Sequence, residues 1–358
     1  MIKKVFIKLV LYLNIIAALL LILNYISVYI NPARFWPAAI LGLTYPYILL
    51  INFMFLIYWA VTWKKYTFIS LIVILIGWKH VNAHYKFGGN SDIKNKGVSV
   101  MSYNIQMTEI NEQILQDPVK KQIVEIVYTE KPGILCFQEY VSDYRKPYEI
   151  PKPINHFYEY RNAVMERSGK NSFYGLTIFS KYQLISKGDI KFDNSPNFCI
   201  YGDYIIQNDT VRVYNVHLQS VRFHPQDYQF IDSLALIKNS NRMKQAQLIS
   251  EKLKDAFIKR AEQVLILKEH ISGSPYKVLV CGDFNDTPVS YVYQQLSASL
   301  LDSFSEQAKG FGNTYIGKGP SFRIDYIFHD NRITTGWFQR KKIRASDHYP
   351  IMAGIYLK

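Results

Sequence analysis

Val278-Leu279-Val280-Cys281-Gly282-Asp283-Phe284-Asn285 is a short apolar run that passes straight into a glycine, a carboxylate and an amide. Four apolar residues bounded by a turn signal read as a buried strand. A carboxylate at the end of such a strand sits at the rim of a core, where burial without a partner is costly. Asp283 and Asn285 are two apart, so both face one side if the strand continues through them.

The same arrangement recurs along the chain. Val100-Met101-Ser102-Tyr103 runs into Asn104, and Leu135-Cys136-Phe137-Gln138 runs into Glu139. Val213-Tyr214-Asn215-Val216 runs into His217-Leu218. Phe322-Arg323-Ile324-Asp325-Tyr326-Ile327-Phe328 holds Asp325 inside an apolar run, and Ala345-Ser346-Asp347-His348-Tyr349-Pro350 pairs an Asp with a His. Strands are expected at 98–103, 134–137, 176–179, 211–216, 278–281, 324–328 and Ile351–Leu357, with helices over 112–130 and 241–270. Strands mixed with helices predict a layered α/β or α+β domain.

Each polar residue alone has a bland reading. Asn104 suits a turn, His217 a satisfied core histidine, Asp283 and Asn285 a turn before Pro288, and Asp347-His348 a cap. Together they form an oxygen-rich set of one Glu, three Asp, two Asn and two His, without Cys. Several carboxylates at strand ends can offset their burial by converging on a cation. Hard oxygen donors favour magnesium, or manganese, over zinc.

Of the 358 residues, 49% are hydrophobic, but they are concentrated near the start. Stretches 5–30 and 36–61 are long enough to cross a bilayer, which takes about 20 apolar residues. A third, 66–78, is shorter. The first is too long for a cleaved signal peptide, and further apolar segments follow it. Lys3, Lys4, Lys8 and Lys64-Lys65 flank one side, which the bias of basic residues marks as cytoplasmic. Three crossings put the remainder outside the cytoplasm; two put it inside. The expected plan is a transmembrane anchor of two or three helices over 1–82, a linker over 83–97 and a catalytic domain over 98–358. The multi-pass chain is expected to hold that domain on the non-cytoplasmic side.

The series Ser102-Tyr103-Asn104-Ile105, Gln138-Glu139, Asn215-Val216-His217-Leu218, Gly282-Asp283-Phe284-Asn285-Asp286, Arg323-Ile324-Asp325-Tyr326-Ile327 and Ser346-Asp347-His348-Tyr349-Pro350 resembles the endonuclease/exonuclease/phosphatase superfamily, also called DNase I-like, over roughly residues 97–358. The resemblance implies a four-layer α/β/β/α sandwich with its site where the two sheets open. It implies that Glu139 binds Mg²⁺, with Asn104 assisting and Asp347 beside the metal. Asp283 would orient or deprotonate the attacking water, positioned by Asn285. His348 would contact the scissile phosphate, its ring held by Asp325. His217 would stabilise the transition state or protonate the leaving oxygen, and Asn215 would support the site from behind it. The segment Tyr174-Gly175-Leu176-Thr177-Ile178-Phe179-Ser180-Lys181 is also similar to the family and is read as structural.

The expected function is a membrane-anchored, divalent-metal-dependent phosphoester hydrolase, a phosphodiesterase or phosphatase that acts on lipid head groups or another phosphoester. A membrane-tethered nuclease is the alternative, since the formal net charge of +14 suits polyanions. A non-catalytic binding protein is disfavoured by the complete polar set. The segment 222–239, with Phe223, His224, Tyr228 and Phe230, is a candidate substrate loop or an ordinary connection. Cys136, Cys199 and Cys281 lack disulfide or zinc-site spacing and read as buried thiols.

Overall fold

A computed structural model describes residues 2–89, 97–143, 149–168, 172–233 and 241–358. The N-terminal part is helical: α1 Ile2–Ser27, α2 Pro32–Phe35, α3 Pro37–Val61, α4 Thr67–Ile76 and α5 Trp78–His84. Helices α1 and α3 are each long and apolar enough to cross a membrane, and α4 with α5, bent by 71°, would add a third crossing if the pair forms one span rather than a re-entrant loop. Gly77 lies at that bend. Polar side chains tie these helices together. Asn14 Nδ2 donates to Ser70 Oγ (2.7 Å), Trp59 Nε1 to Asn14 Oδ1 (3.0 Å), and Asn52 Nδ2 to the Ala17 carbonyl (2.9 Å). The marginal third apolar stretch is therefore packed against both longer helices.

The remainder carries β1 Tyr85–Lys86, β2 Val98–Glu109, β3 Ile134–Asp143, β4 Tyr160–Ser168, β5 Ser172–Ser180, β6 Gln183–Lys191, β7 Phe198–Ile206, β8 Asp209–His217, β9 Lys277–Asp283, β10 Leu301–Asp302, β11 Gly310–Phe311, β12 Asp325–His329, β13 Ile333–Arg340 and β14 Ile351–Leu357. Helices α6 Lys121–Glu130, α7 Pro225–Ser233, α8 Asn241–Ser272, α9 Tyr291–Ser297 and α10 Ser303–Gln307 lie between them. Two six-stranded sheets form, in the orders β13-β14-β2-β3-β5-β4 and β10-β12-β9-β8-β7-β6.

Side-chain alternation builds the layers. Val98, Val100, Ile134, Cys136 and Ile178 meet Ile200, Val211, Val213, Leu279 and Cys281 between the sheets. Met101, Tyr103, Leu135 and Phe137, on the opposite face, pack on Ile123, Val124 and Val127 of α6. Tyr214, Val216, Val278 and Val280 likewise pack on Val264 and Leu267 of α8 and Leu296 of α9. The order is helix, sheet, sheet, helix, as expected. All three cysteines are free and buried.

Three expectations need correction. Helix 112–130 is broken, because Pro118 lacks the N–H an interior turn requires. A short 3₁₀ turn, Glu112–Gln116, precedes α6, and Asp117 Oδ1 accepts the Val119 and Lys120 amides (2.8 and 2.9 Å). The linker over 83–97 begins inside structure, since α5 runs to His84 and Tyr85 pairs with Phe311; residues 90–96 lie outside the described residues. Strands β4, β6, β7 and β13 were not anticipated. In β6 most side chains face outward, so it carries little apolar signal.

The helical part and the sandwich are in direct contact. Gly42 of α3 abuts Val289, so closely that a Cβ there would lie 2.0 Å from the Val289 carbonyl oxygen. Pro46 has no N–H to reach the Gly42 carbonyl four residues back, and Thr287 Oγ1 approaches that oxygen at 3.5 Å. Arg323, fully buried, donates to the Ala83 carbonyl (2.8 Å) and to Asp302. Lys79 reaches Gln294, and Asn31 reaches Tyr291. These contacts come from the loop after α1, the N-terminal end of α3 and α5. Lys3, Lys4 and Lys8 lie on the first turns of α1, at its other end.

Candidate active site

The second sheet sets three site residues in one row. His217 pairs with Asp283 in parallel register and Asp325 pairs with Asp283 in antiparallel register. Gly282 permits this alignment: its φ is +147°, and a Cβ would sit 2.0 Å from the Val216 carbonyl oxygen. The first sheet contributes through two irregularities. Register shifts occur between Asn104 and Thr108 and between Phe137 and Tyr140. Such bulges turn a side chain out of the alternating pattern. Glu139, within the second shift, adopts φ +51° and points into the cavity.

The residues converge. Asn104 Nδ2 donates to Asp283 Oδ2 (3.0 Å) and lies 3.4 Å from Glu139 Oε1. His217 Nε2 is 3.8 Å from Glu139 Oε1 and 3.9 Å from Asp283 Oδ2. His348 Nδ1 meets Asp325 Oδ2 at 2.9 Å, while its Nε2 is 3.7 Å from Asp283 Oδ2. Asp347 is half-buried, lines the same cavity, and accepts from Ser346 Oγ (3.3 Å). Ser346 Oγ also donates to the Asn104 carbonyl (2.7 Å), tying the last motif to the first. Asn215 is fully buried behind the site, where it donates to the Phe137 and Thr177 carbonyls (2.8 and 3.0 Å) and accepts from Gln138.

Asn285 departs from the expectation of a shared strand face. The strand ends at Asp283, Asn285 takes φ +53°, and its amide nitrogen donates to the Leu218 carbonyl (3.0 Å). Its backbone N–H instead donates to Asp283 Oδ1 (2.8 Å), so an Asx turn holds the carboxylate.

Burial sets the charges. It pushes the Asp283 carboxyl up to about 6, with Asp325 adding to the rise. Burial also raises Glu139 and lowers His217, which is therefore neutral near pH 7. Burial alone would lower His348 too, but the carboxylates of Asp325 and Asp283 raise it to about 10. One histidine is cationic and the other neutral, in a single cleft.

Ligand-type atoms of Asp283, Asp325 and His348 lie within 4.8 Å of one another, a grouping that could hold a cation. Asp325 Oδ1 and His217 Nε2 are buried without hydrogen-bond partners. Buried orphans and clustered oxygen donors fit an ion or a phosphate between them.

The cavity has a volume of about 410 Å³. Tyr315 packs edge-on against His348 at 5.4 Å, and Arg222, Phe223 and Tyr228 line the rim. The start of the candidate substrate loop therefore faces the site; residues 234–240 lie outside the described residues. Leu43, from α3, also lines the cavity, and no local pattern in the sequence distinguishes it. Tyr174-Gly175-Leu176 lies in β5 and borders a neighbouring cavity with Glu139 and His217.

Two sheets packed face to face, with one acid- and histidine-lined cleft at their open edge, define a DNase I-like α/β sandwich. The chain belongs to the endonuclease/exonuclease/phosphatase family, whose model matches residues 101–348. Its name covers nucleases and phosphatases, enzymes that cleave phosphoester bonds. A model described only as a domain of unknown function matches residues 7–84. No curated protein matches the chain. Among solved structures, the human Nocturnin catalytic domain is 15% identical with a TM-score of 0.51, covering 75% of this chain and 96% of that one. D. rerio TDP2, complexed with a single-strand DNA product, is 14% identical with a TM-score of 0.49, covering 73% and 100%. A mannosyl-6-phosphatase of Bacteroides thetaiotaomicron is 17% identical with a TM-score of 0.45, covering 73% and 100%.

Proposed function

We propose that the chain is a membrane-anchored, divalent-metal-dependent phosphoester hydrolase that works at the membrane surface on lipid phosphoesters. The observation that carries this reading is the meeting of six separated segments in one cleft, with Asn104 in contact with both Glu139 and Asp283 and His348 held by Asp325. Glu139 and Asn104, with Asp347 alongside, are the hard oxygen donors that suit Mg²⁺ or Mn²⁺. Asp325 is already engaged by His348, which favours this pair as a hydrogen-bonding unit over a metal ligand set. A bound cation would offset the negative charge that develops on the phosphate.

The protein's own groups divide the remaining work. Asp283, fixed by the Asn285 N–H, accepts a proton from the attacking water. His348, kept cationic by its carboxylates, donates Nε2–H to a phosphate oxygen, and Asp325 keeps the ring in register. His217, neutral, offers a hydrogen bond to a second oxygen as the ester bond breaks.

The positions of the basic residues support a domain outside the cytoplasm. Lys3, Lys4 and Lys8 lie at the opposite end of α1 from the catalytic contacts, and basic residues favour the cytoplasmic side.

The test is turnover by the full chain in nanodiscs against phospholipids, phosphomonoesters, nucleotides and plasmid DNA, with Mg²⁺ or Mn²⁺. Lipid phosphoester hydrolysis is expected, and His348→Ala should lower kcat by about 10²-fold or more. Salt-sensitive plasmid nicking lost in His348→Ala, without lipid turnover, would instead make the protein a tethered nuclease.

A further inference from the structure

A second cavity, of about 450 Å³, lies between α3 and the sandwich. Its walls are mainly apolar, with Tyr47, Leu50 and Phe53 on α3 facing Phe87 and Phe311 on the sandwich side and Asn313, Ser321 and Arg323 among the polar lining. Thr287 and Phe322 line this groove and the catalytic cavity alike, so the two spaces share a wall. Helix α3 runs past both. Leu43 borders the catalytic cavity, and Phe53, ten residues further along the same helix, borders the far part of the groove. At 1.5 Å per residue this path is about 15 Å long.

The groove is open to the surroundings of a membrane helix. Leu50 is 59% exposed and Tyr47 54% exposed on α3, which is long and apolar enough to cross a bilayer. Trp78 and Phe87 stack nearby with ring centroids 5.7 Å apart, and Tyr85 packs edge-on against Phe311 at 4.8 Å. Aromatic side chains with one apolar and one wet side favour the level where hydrocarbon meets head groups. Among the described residues Arg323 is the one Lys or Arg in the wall, and it is spent on Asp302 and the Ala83 carbonyl. The described lining thus offers mainly apolar contact and no free Lys or Arg for a polyanion.

We propose that this groove seats one hydrocarbon chain of a membrane lipid whose phosphoester occupies the catalytic cavity. The inference rests on the hydrolase reading and specifies its substrate: a single amphiphile drawn along α3, with its phosphate delivered to His348 and Glu139. Nucleic acid, which has no such tail, gains nothing from the groove.

The test uses the full chain in nanodiscs and two diesters with one reacting centre, methyl 4-nitrophenyl phosphate and hexadecyl 4-nitrophenyl phosphate. Leu50→Trp and Leu49→Trp each fill the groove, and Leu23→Trp places the same bulk on α1, away from the groove. The groove variants are expected to lower kcat/KM for the hexadecyl ester by about tenfold, leaving the methyl ester and Leu23→Trp near wild type. A hexadecyl phosphate with a diazirine in its tail should crosslink to Tyr47, Leu50 or Phe53, in wild type and in His348→Ala alike. Equal losses on both esters, no loss on the hexadecyl ester, or crosslinks spread evenly over α1 and α3 each overturn the groove assignment while leaving the hydrolase intact. Failure of wild type to cleave either diester or 4-nitrophenyl phosphate, with tail crosslinking preserved, removes the hydrolase reading instead.

Discussion

At the scale of residues, burial makes two histidines unlike and one aspartate basic. Asp283 must be ionised to accept a proton, and its carboxyl is raised to about 6 by burial and by Asp325. A raised acid holds its proton to higher pH, so the rate should climb as pH rises toward 6 and level off above it. His348 stays protonated up to about 10, so its donor should persist across neutral pH. The expected kcat profile therefore has an acid limb at or below about pH 6, since a bound cation can only lower that limb, and a plateau through pH 8. Initial rates from pH 4.5 to 9 check this. A maximum at pH 5 with decline toward 8 contradicts it. Asp283 was legible because it ends an apolar run and Asp325 because it sits inside one, where a charge needs a reason; His348 was legible from its pairing with Asp347 before the last strand. Tyr315 was not, because a rim residue on a loop carries no periodicity.

At the scale of elements, the strands with continuous buried apolar runs were visible, and β6, with mostly outward side chains, was not. Strands β2, β3, β8, β9, β12 and β14 have buried runs that announce themselves, whereas β6 shows mostly outward side chains. Bulges are similarly silent: nothing in Gln138-Glu139 says that Glu139 will take φ +51° and leave the pleat. Gly282 is a case where the backbone decides. Gly282→Ala must strain a positive φ and push against the Val216 carbonyl. A loss of about 2–3 kcal/mol in stability is expected, measured by denaturant unfolding; a neutral Ala variant would refute the close approach. In the helical part, Asn52 donates to the Ala17 carbonyl of α1 and accepts from Ser70 of α4 (3.2 Å). Polar bridges between membrane helices contribute about 0.6–2 kcal/mol. Asn52→Leu should lower the unfolding temperature in detergent, while Met54→Leu on the outer face should not.

At the scale of the whole molecule, the helical part and the sandwich meet backbone to backbone. Gly42 brings α3 against Val289, the Pro46 ring leaves the Gly42 carbonyl for Thr287, and Thr287 follows the site motif by a single residue after Asp286. The division into an apolar leader and a mixed remainder was plain from composition. Their docking was not, since it depends on one glycine and one proline within an apolar helix. That docking sets the cleft beside the exposed apolar surface of α3. The proposed hydrolase requires six segments to form one cation-dependent hydrolytic site. Its most direct test is phosphoester turnover by the EDTA-stripped full chain on titration with Mn²⁺, for wild type and Glu139→Gln. The expected result is no turnover without metal, saturable recovery in wild type, and a midpoint shifted at least tenfold upward in Glu139→Gln. Turnover indifferent to EDTA, or an unchanged midpoint in the variant, would contradict it.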